Sequence, residues 1–143
     1  MANPHRKFEA GLIIVSHKRV STIVEVGRKS GEASLVTAMS DKSAEHGIYH
    51  TIRALLGVEI KPDQVKFVGA PEGFPLSSAQ GSRKIRLAMV TFTAEQFEQA
   101  KLGSSQTEGA EMRKVSLAEV ADLQSADIVS LAGIQWLLNN YNK

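Results

Sequence analysis

Four histidines, scattered acids and a few basic clusters are the residues able to do chemistry in this sequence. His46 and His50 stand four apart, a spacing that brings two imidazoles to one face of a helix and could hold a metal ion. Glu45 is close in sequence, but no third ligand follows at the same spacing, so a solvated pair on a polar helix face is the competing reading. The acids are spread along the chain, and no segment gathers the several oxygen ligands that Mg²⁺ requires. Serines fall in loop-like stretches such as Ser77-Ser78 and Ser104-Ser105, without the G-x-S-x-G elbow of a serine hydrolase. No phosphate-binding loop, dinucleotide fingerprint or H-E-x-x-H motif is present. With no cysteine in 143 residues, disulfides, thiolate metal sites and cysteine nucleophiles are excluded. Cations that could meet an anionic ligand are Arg28, in a glycine-bounded loop, and the cluster Arg83, Lys84 and Arg86. As competing readings, Arg28 is a solvated loop cation and the cluster a charged strand edge guarding against aggregation.

The elements that must position these residues follow from hydrophobic periodicity. Residues 8–15 form a continuous apolar run, the pattern of a strand covered on both faces. Residues 20–26 alternate with period two and predict a second, antiparallel strand. A short strand is expected over 34–39, others over 65–70, 84–92 and 111–115, and a Pro-, Gly- and Ser-rich loop over 71–82. Residues 41–56 predict a helix capped by Asp41 or Ser43, with Ala44, Ile48, Ile52 and Leu55 on its apolar face and Gly57 as a left-handed stop. Gly47 costs such a helix about 1 kcal/mol relative to alanine, which points to a close approach at that position. Residues 94–100 and a stretch from Ser116 to Leu123 predict short helices. A last helix over 125–141 is expected to bury Ile128, Leu131, Ile134 or Gln135, Leu138 and Tyr141. Trp136 falls off that stripe, which makes it either core packing or, if exposed, part of a subunit interface. These elements make an α/β/α sandwich around a mixed sheet, in one domain spanning 1–143 with its core over about 8–138.

Two segments carry a family resemblance. Leu56-Gly57-Val58-Glu59-Ile60 ends the predicted helix, and Glu111-Met112-Arg113-Lys114-Val115-Ser116-Leu117-Ala118-Glu119-Val120 opens the last third. With the order of elements around them, the chain resembles a Nudix domain from about Phe8 to Leu138, although Lys114 stands where a Trp is common. The resemblance implies a helix carrying the motif G-x5-E-x7-R-E-U-x-E-E-x-G-U, with U apolar, whose carboxylates hold Mg²⁺ for attack of water on a diphosphate. Placing its last Gly on Gly57 puts its Arg on His50 and its Glu positions on Lys42, Thr51, Ala54 and Leu55. Only Ile52, Gly57 and Val58 agree, and a register built on Glu45 and Arg53 fails equally.

The resemblance therefore implies the fold while this sequence withholds the metal-binding acids. One expectation is a non-catalytic Nudix-fold module that binds a nucleotide-like ligand, RNA or a protein partner, with Arg28, Arg83, Lys84 and Arg86 as ligand contacts, no metal and no cofactor. The alternative is a Mg²⁺-dependent hydrolase of a nucleoside diphosphate derivative using relocated acids, Glu45, Glu108 and Glu111 foremost, with Glu59 a further candidate. A homodimer is an expectation from resemblance alone. The net charge of +2 is too small to announce a nucleic-acid binder. The apolar run of residues 11–15 is too short to span a bilayer or serve as a signal core, so no membrane partner and a cytoplasmic or organelle-matrix location are expected.

Overall fold

The computed structural model describes residues 8–69, 74–78, 81–102, 105–106, 108–125 and 127–141, with the main chain alone for 74–78, 81–84, 128 and 141. It is a three-layer α/β/α arrangement around a mixed sheet. β1 (Phe8–Val15) is the central strand, and its Ala10 to Val15 segment is buried throughout, as expected of a strand covered on both faces. It runs parallel to β7 (Gly81–Thr91), with Ala10 opposite Arg86 and Val15 opposite Thr91. β5 (Val65–Val68) and β6 (Phe74–Ser78) pair antiparallel with β7.

The other edge of β1 is shared. Its last two residues pair with β2 (Ser21–Gly27), while Phe8 to Leu12 pair with β4 (Val36–Ser40). β2 therefore splays away from β1 and turns its length to β8 (Ala110–Ser116), with β3 (Ala33–Ser34) on its other part. The third strand expected over 34–39 is thus two strands, separated by a buried Leu35.

α1 (Ala44–Leu56) covers one face of the sheet together with α2 (Ala94–Gln99). Ile48, Ile52 and Leu56 join Leu12, Ile14, Ile23, Val90 and Phe92 in the core on that side. α3 (Leu117–Asp122) and α4 (Ile128–Tyr141) cover the opposite face, where Val120, Ile134 and Leu137 meet Ile13, Val24, Leu87 and Met89. Among the described residues, no helix is long and apolar enough to cross a membrane.

Four local expectations are corrected. Residues 71–82 were expected as a loop, yet Phe74–Ser78 is a strand in a hairpin with β7. Pro75 is compatible with it because, among the described residues, β6 pairs on one side only. In α4 the buried residues among those described are Val129, Ser130, Gly133, Ile134 and Leu137, while Leu131 is 46% exposed, and the side chains of Ile128 and Tyr141 lie outside the described residues. Apolar residues surround this helix, so its inward face is decided by packing: Gly133 lets α4 settle on Leu35, and the buried Ser130 hydroxyl accepts the Leu35 amide at 2.9 Å. Its start is also later than expected, because the carboxylate of Asp127 accepts the Ser130 amide at 2.7 Å. Finally Val20 lies outside its strand and is 59% exposed.

Candidate functional site

α1 is the element on which a metal-dependent Nudix reaction would depend, and its placement is tightly specified. Ser43 caps it, its hydroxyl accepting the His46 amide at 3.0 Å, so of the two expected caps Ser43 is the one used. Gly57 closes it at φ 69°, donating its amide to Arg53 O at 3.0 Å. Gly47 supplies the expected close approach: a Cβ there would sit 3.1 Å from the Met39 carbonyl carbon and 3.2 Å from Ser40 Cβ.

The chemistry this helix presents is sparse. Its sheet-facing side is Ala44, Gly47, Ile48, Ile52 and Leu56, and its exposed residues include Glu45, His46, His50, Arg53 and Ala54. The positions that the motif fills with acids hold exposed Lys42, half-buried Thr51, exposed Ala54 and half-buried Leu55, the last packed into the core. Glu45 is the helix's single carboxylate. Glu59, beyond the cap, lies 3.7 Å from Arg53 in an exposed pair of the kind that contributes little to stability. Among the described residues no group of three or more His, Asp or Glu side chains is placed to hold a metal ion. The donor set on α1 therefore does not fit a catalytic Mg²⁺ site.

The relocated acids are not gathered either. Along β8, Met112 points into the α1-side core and Val115 into the α4-side core. Strand alternation then sends Glu111 to the α4 side, the opposite face of the sheet from Glu45. Glu108 is exposed in the turn before β8.

The cations divide similarly. Arg28 is exposed in the turn after β2, held by its own amide donating to Gly109 O at 2.9 Å. Arg83 and Lys84 belong to β7 by main chain, and their side chains lie outside the described residues. Arg86 does not sit on a solvated edge. β7 is paired on both sides, and the Arg86 guanidinium carbon lies 3.7 Å from the centroid of the Phe67 ring on β5. Its Nε is buried with no hydrogen-bond partner among the described residues. A buried, unpaired N–H costs roughly 1–3 kcal/mol.

One polar constellation was not singled out from sequence. Glu25 on β2 is only 3% exposed. Its Oε1 accepts the Ser105 hydroxyl at 2.9 Å and the Gln106 amide at 2.6 Å. The Gln106 side chain then brackets the main chain of Thr37 on β4: Oε1 accepts the Thr37 amide at 2.9 Å, and Nε2 donates to Thr37 O at 2.6 Å. The segment between α2 and β8 is thereby fastened across the gap where β2 splays from β4, with a side-chain amide acting as the missing strand partner. The available signal was a lone acid, Glu25, between Val24 and Val26 in a run whose two faces are both buried.

Comparison with solved structures identifies the fold as that of Nudix domains. A MutT described for Aliivibrio salmonicida and Vibrio cholerae superposes with a TM-score of 0.62 at 11% identity, over 94% of this chain and 98% of that one. The NUDIX domain of Shewanella oneidensis NrtR, complexed with ADP ribose, gives a TM-score of 0.65 at 12% identity over 95% of this chain and 88% of that one. The Ap4A hydrolase of C. elegans gives 0.54 at 7% identity over 94% and 97%. No protein-family profile matches the sequence, and no curated protein is a significant match. The likeness thus resides in the fold, a class of mixed-sheet sandwich whose solved members include named hydrolases.

Proposed function

We propose that this chain is a non-hydrolytic Nudix-fold module that binds a nucleotide-like anionic ligand. The observation that carries the reading is α1, which keeps the cap, the stop and the close contact with β4 but presents a single exposed carboxylate. Metal-assisted hydrolysis uses the ion to polarise the phosphate and to generate the nucleophile, and the residues on this helix offer no set of ligands for it. The hydrolase alternative is weakened by the sheet itself, which separates Glu45 from Glu111.

Two observations favour an anionic ligand. Arg86 is a half-buried cation stacked on Phe67, with one N–H unpartnered among the described residues. A structurally similar NUDIX domain holds ADP ribose, a nucleoside diphosphate with the chemistry an arginine recognises. Arg28 is an additional contact if the ligand reaches the turn after β2. RNA is the competing ligand, and a steep loss of affinity with salt would mark it.

A thermal-shift titration with ADP-ribose, ADP and ATP tests this. The melting temperature is expected to rise with ligand concentration, corresponding to about 2.7 kcal/mol at a hundredfold excess over Kd. In Arg86→Gln the ligand-induced rise should fall to less than half, measured against that variant's own unliganded melt. No rise with any nucleotide, or an undiminished rise in Arg86→Gln, would contradict the proposal.

A further inference from the structure

α1 lacks the oxygen donors of a Mg²⁺ site, yet it carries nitrogen donors on the face turned away from the sheet. His46 and His50 are both exposed there, about one turn apart. A four-residue step along a helix returns to within about 40° of the same direction and leaves Cβ atoms about 5–6 Å apart. Helical side chains lean toward the N-terminus, which directs His50 toward the turn that holds His46. Two imidazole nitrogens, each about 2.0–2.1 Å from one ion, then close a chelate.

The surroundings leave this pair free to bind. Neither imidazole has a hydrogen-bond or ion-pair partner among the described residues, so no existing contact has to break. α1 is fixed at both ends, by the Ser43 hydroxyl accepting the His46 amide at 3.0 Å and by the Gly57 amide donating to Arg53 O at 3.0 Å. The backbone beneath the pair is therefore set before an ion arrives, which lowers the ordering cost of binding. Space beside the pair is open, since Gly47 has no side chain and the exposed Ala54, one turn beyond His50, has only a methyl. Charge does not oppose a cation either. From Asp41 to Ile60 the chain has Asp41, Glu45 and Glu59 against Lys42 and Arg53, and Arg53 already lies 3.7 Å from Glu59.

We infer that His46 and His50 chelate a divalent transition-metal cation of the Cu²⁺, Ni²⁺ and Zn²⁺ class on the exposed face of α1. Imidazole suits these ions, whereas Mg²⁺ is a hard cation that takes oxygen ligands, and Cu²⁺ is the tightest of the series at a given nitrogen site. No third His, Asp or Glu is grouped with the pair among the described residues, so the ion keeps its remaining positions for water or a small donor molecule. The site shares no residue with Arg86 and Phe67 and is independent of the nucleotide reading.

The untagged full chain is titrated with Cu²⁺, Ni²⁺ and Zn²⁺ in turn by isothermal titration calorimetry. Saturable binding is expected, tightest for Cu²⁺, and a large excess of Mg²⁺ should leave it unchanged. His46→Asn and His50→Asn should each weaken the strongest site about tenfold or more, and the double variant little further, because either change ends the chelate. Both positions are exposed, so metal-free circular-dichroism melts of these variants should match the parent. His17→Asn, at an exposed histidine outside α1, should leave the affinity as it is. Ala54→His, added to His46→Asn, rebuilds the four-residue spacing with His50 one turn further along and should recover the affinity. Absence of saturable binding for all three ions, or undiminished binding in His46→Asn or His50→Asn, would overturn the inference. So would a loss in His46→Asn that Ala54→His does not recover, since affinity would then not depend on the spacing of the pair.

Discussion

Gly47→Leu is expected to destabilise the protein by roughly 3 kcal/mol or more, lowering its melting temperature by about 10 °C. Even a Cβ at this position would lie 3.1 Å from Met39 C, 3.2 Å from Ser40 Cβ and 3.3 Å from Met39 O. Two of these atoms are main chain of β4, which is held to β1 by pairing from Phe8–Ser40 to Leu12–Val36 and cannot yield without disturbing the sheet. Leucine adds three further carbons in the same direction. α1 would have to lift from β4, and Ile48 and Ile52, both fully buried, would lift with it. Gly47→Ala separates the two effects: alanine gains up to about 1 kcal/mol of helix propensity against a displacement of a few tenths of an ångström, so a change near zero is expected. Urea denaturation of both variants checks the contrast, and equal stability of Gly47→Leu and the parent would show that the close approach is not constraining.

Glu25→Ala is expected to cost roughly 2–4 kcal/mol in the same measurement. The substitution leaves the Ser105 hydroxyl and the Gln106 amide without the oxygen they now share, and both are only partly accessible to water. It also loosens the Gln106 side chain that brackets Thr37, so the connection between β2 and β4 across their gap is lost as a unit. Glu25→Gln keeps one carbonyl oxygen for these donors and should lose less than half as much. A Glu25→Ala variant as stable as the parent would mean that the network fastens nothing.

The sequence exposed most of the α1 side of the molecule and less of the other. α1 was legible because its signals are local: Ser43 before it, Gly57 after it, and a four-residue rhythm through Ala44, Ile48 and Ile52. Gly47 was legible as an anomaly, a helix breaker whose cost only a close neighbour could justify. β1 was legible because a strand covered on both faces needs no alternation. α4 lacks such a signal, since apolar residues occupy both Leu131 and Leu137, and only Gly133 and Ser130 meeting Leu35 decide which face turns inward. The strand at Phe74–Ser78 was masked by its Pro, Gly and Ser neighbours, because its existence depends on pairing with β7.

For the site, sequence identified what α1 lacks, since missing acids can be counted. It could not place those that remain. That Glu111 and Glu45 project from opposite faces of the sheet follows from the register of β8 against β2, a long-range pairing. That Arg86 stacks on Phe67 follows from β5 and β7 lying side by side. Glu25 is the instructive omission: one acid in an apolar strand is a stronger signal of a buried polar network than of a solvated face, because a buried carboxyl persists only where donors meet it.

The central claim, that the fold is retained without the hydrolytic chemistry, is tested most directly by phosphate and nucleotide release from ADP-ribose, nucleoside triphosphates and dinucleoside polyphosphates, with Mg²⁺ and with Mn²⁺. The account predicts no release above a protein-free control. Robust turnover that disappears in Glu45→Gln or Glu111→Gln would contradict it and assign catalysis to the relocated acids.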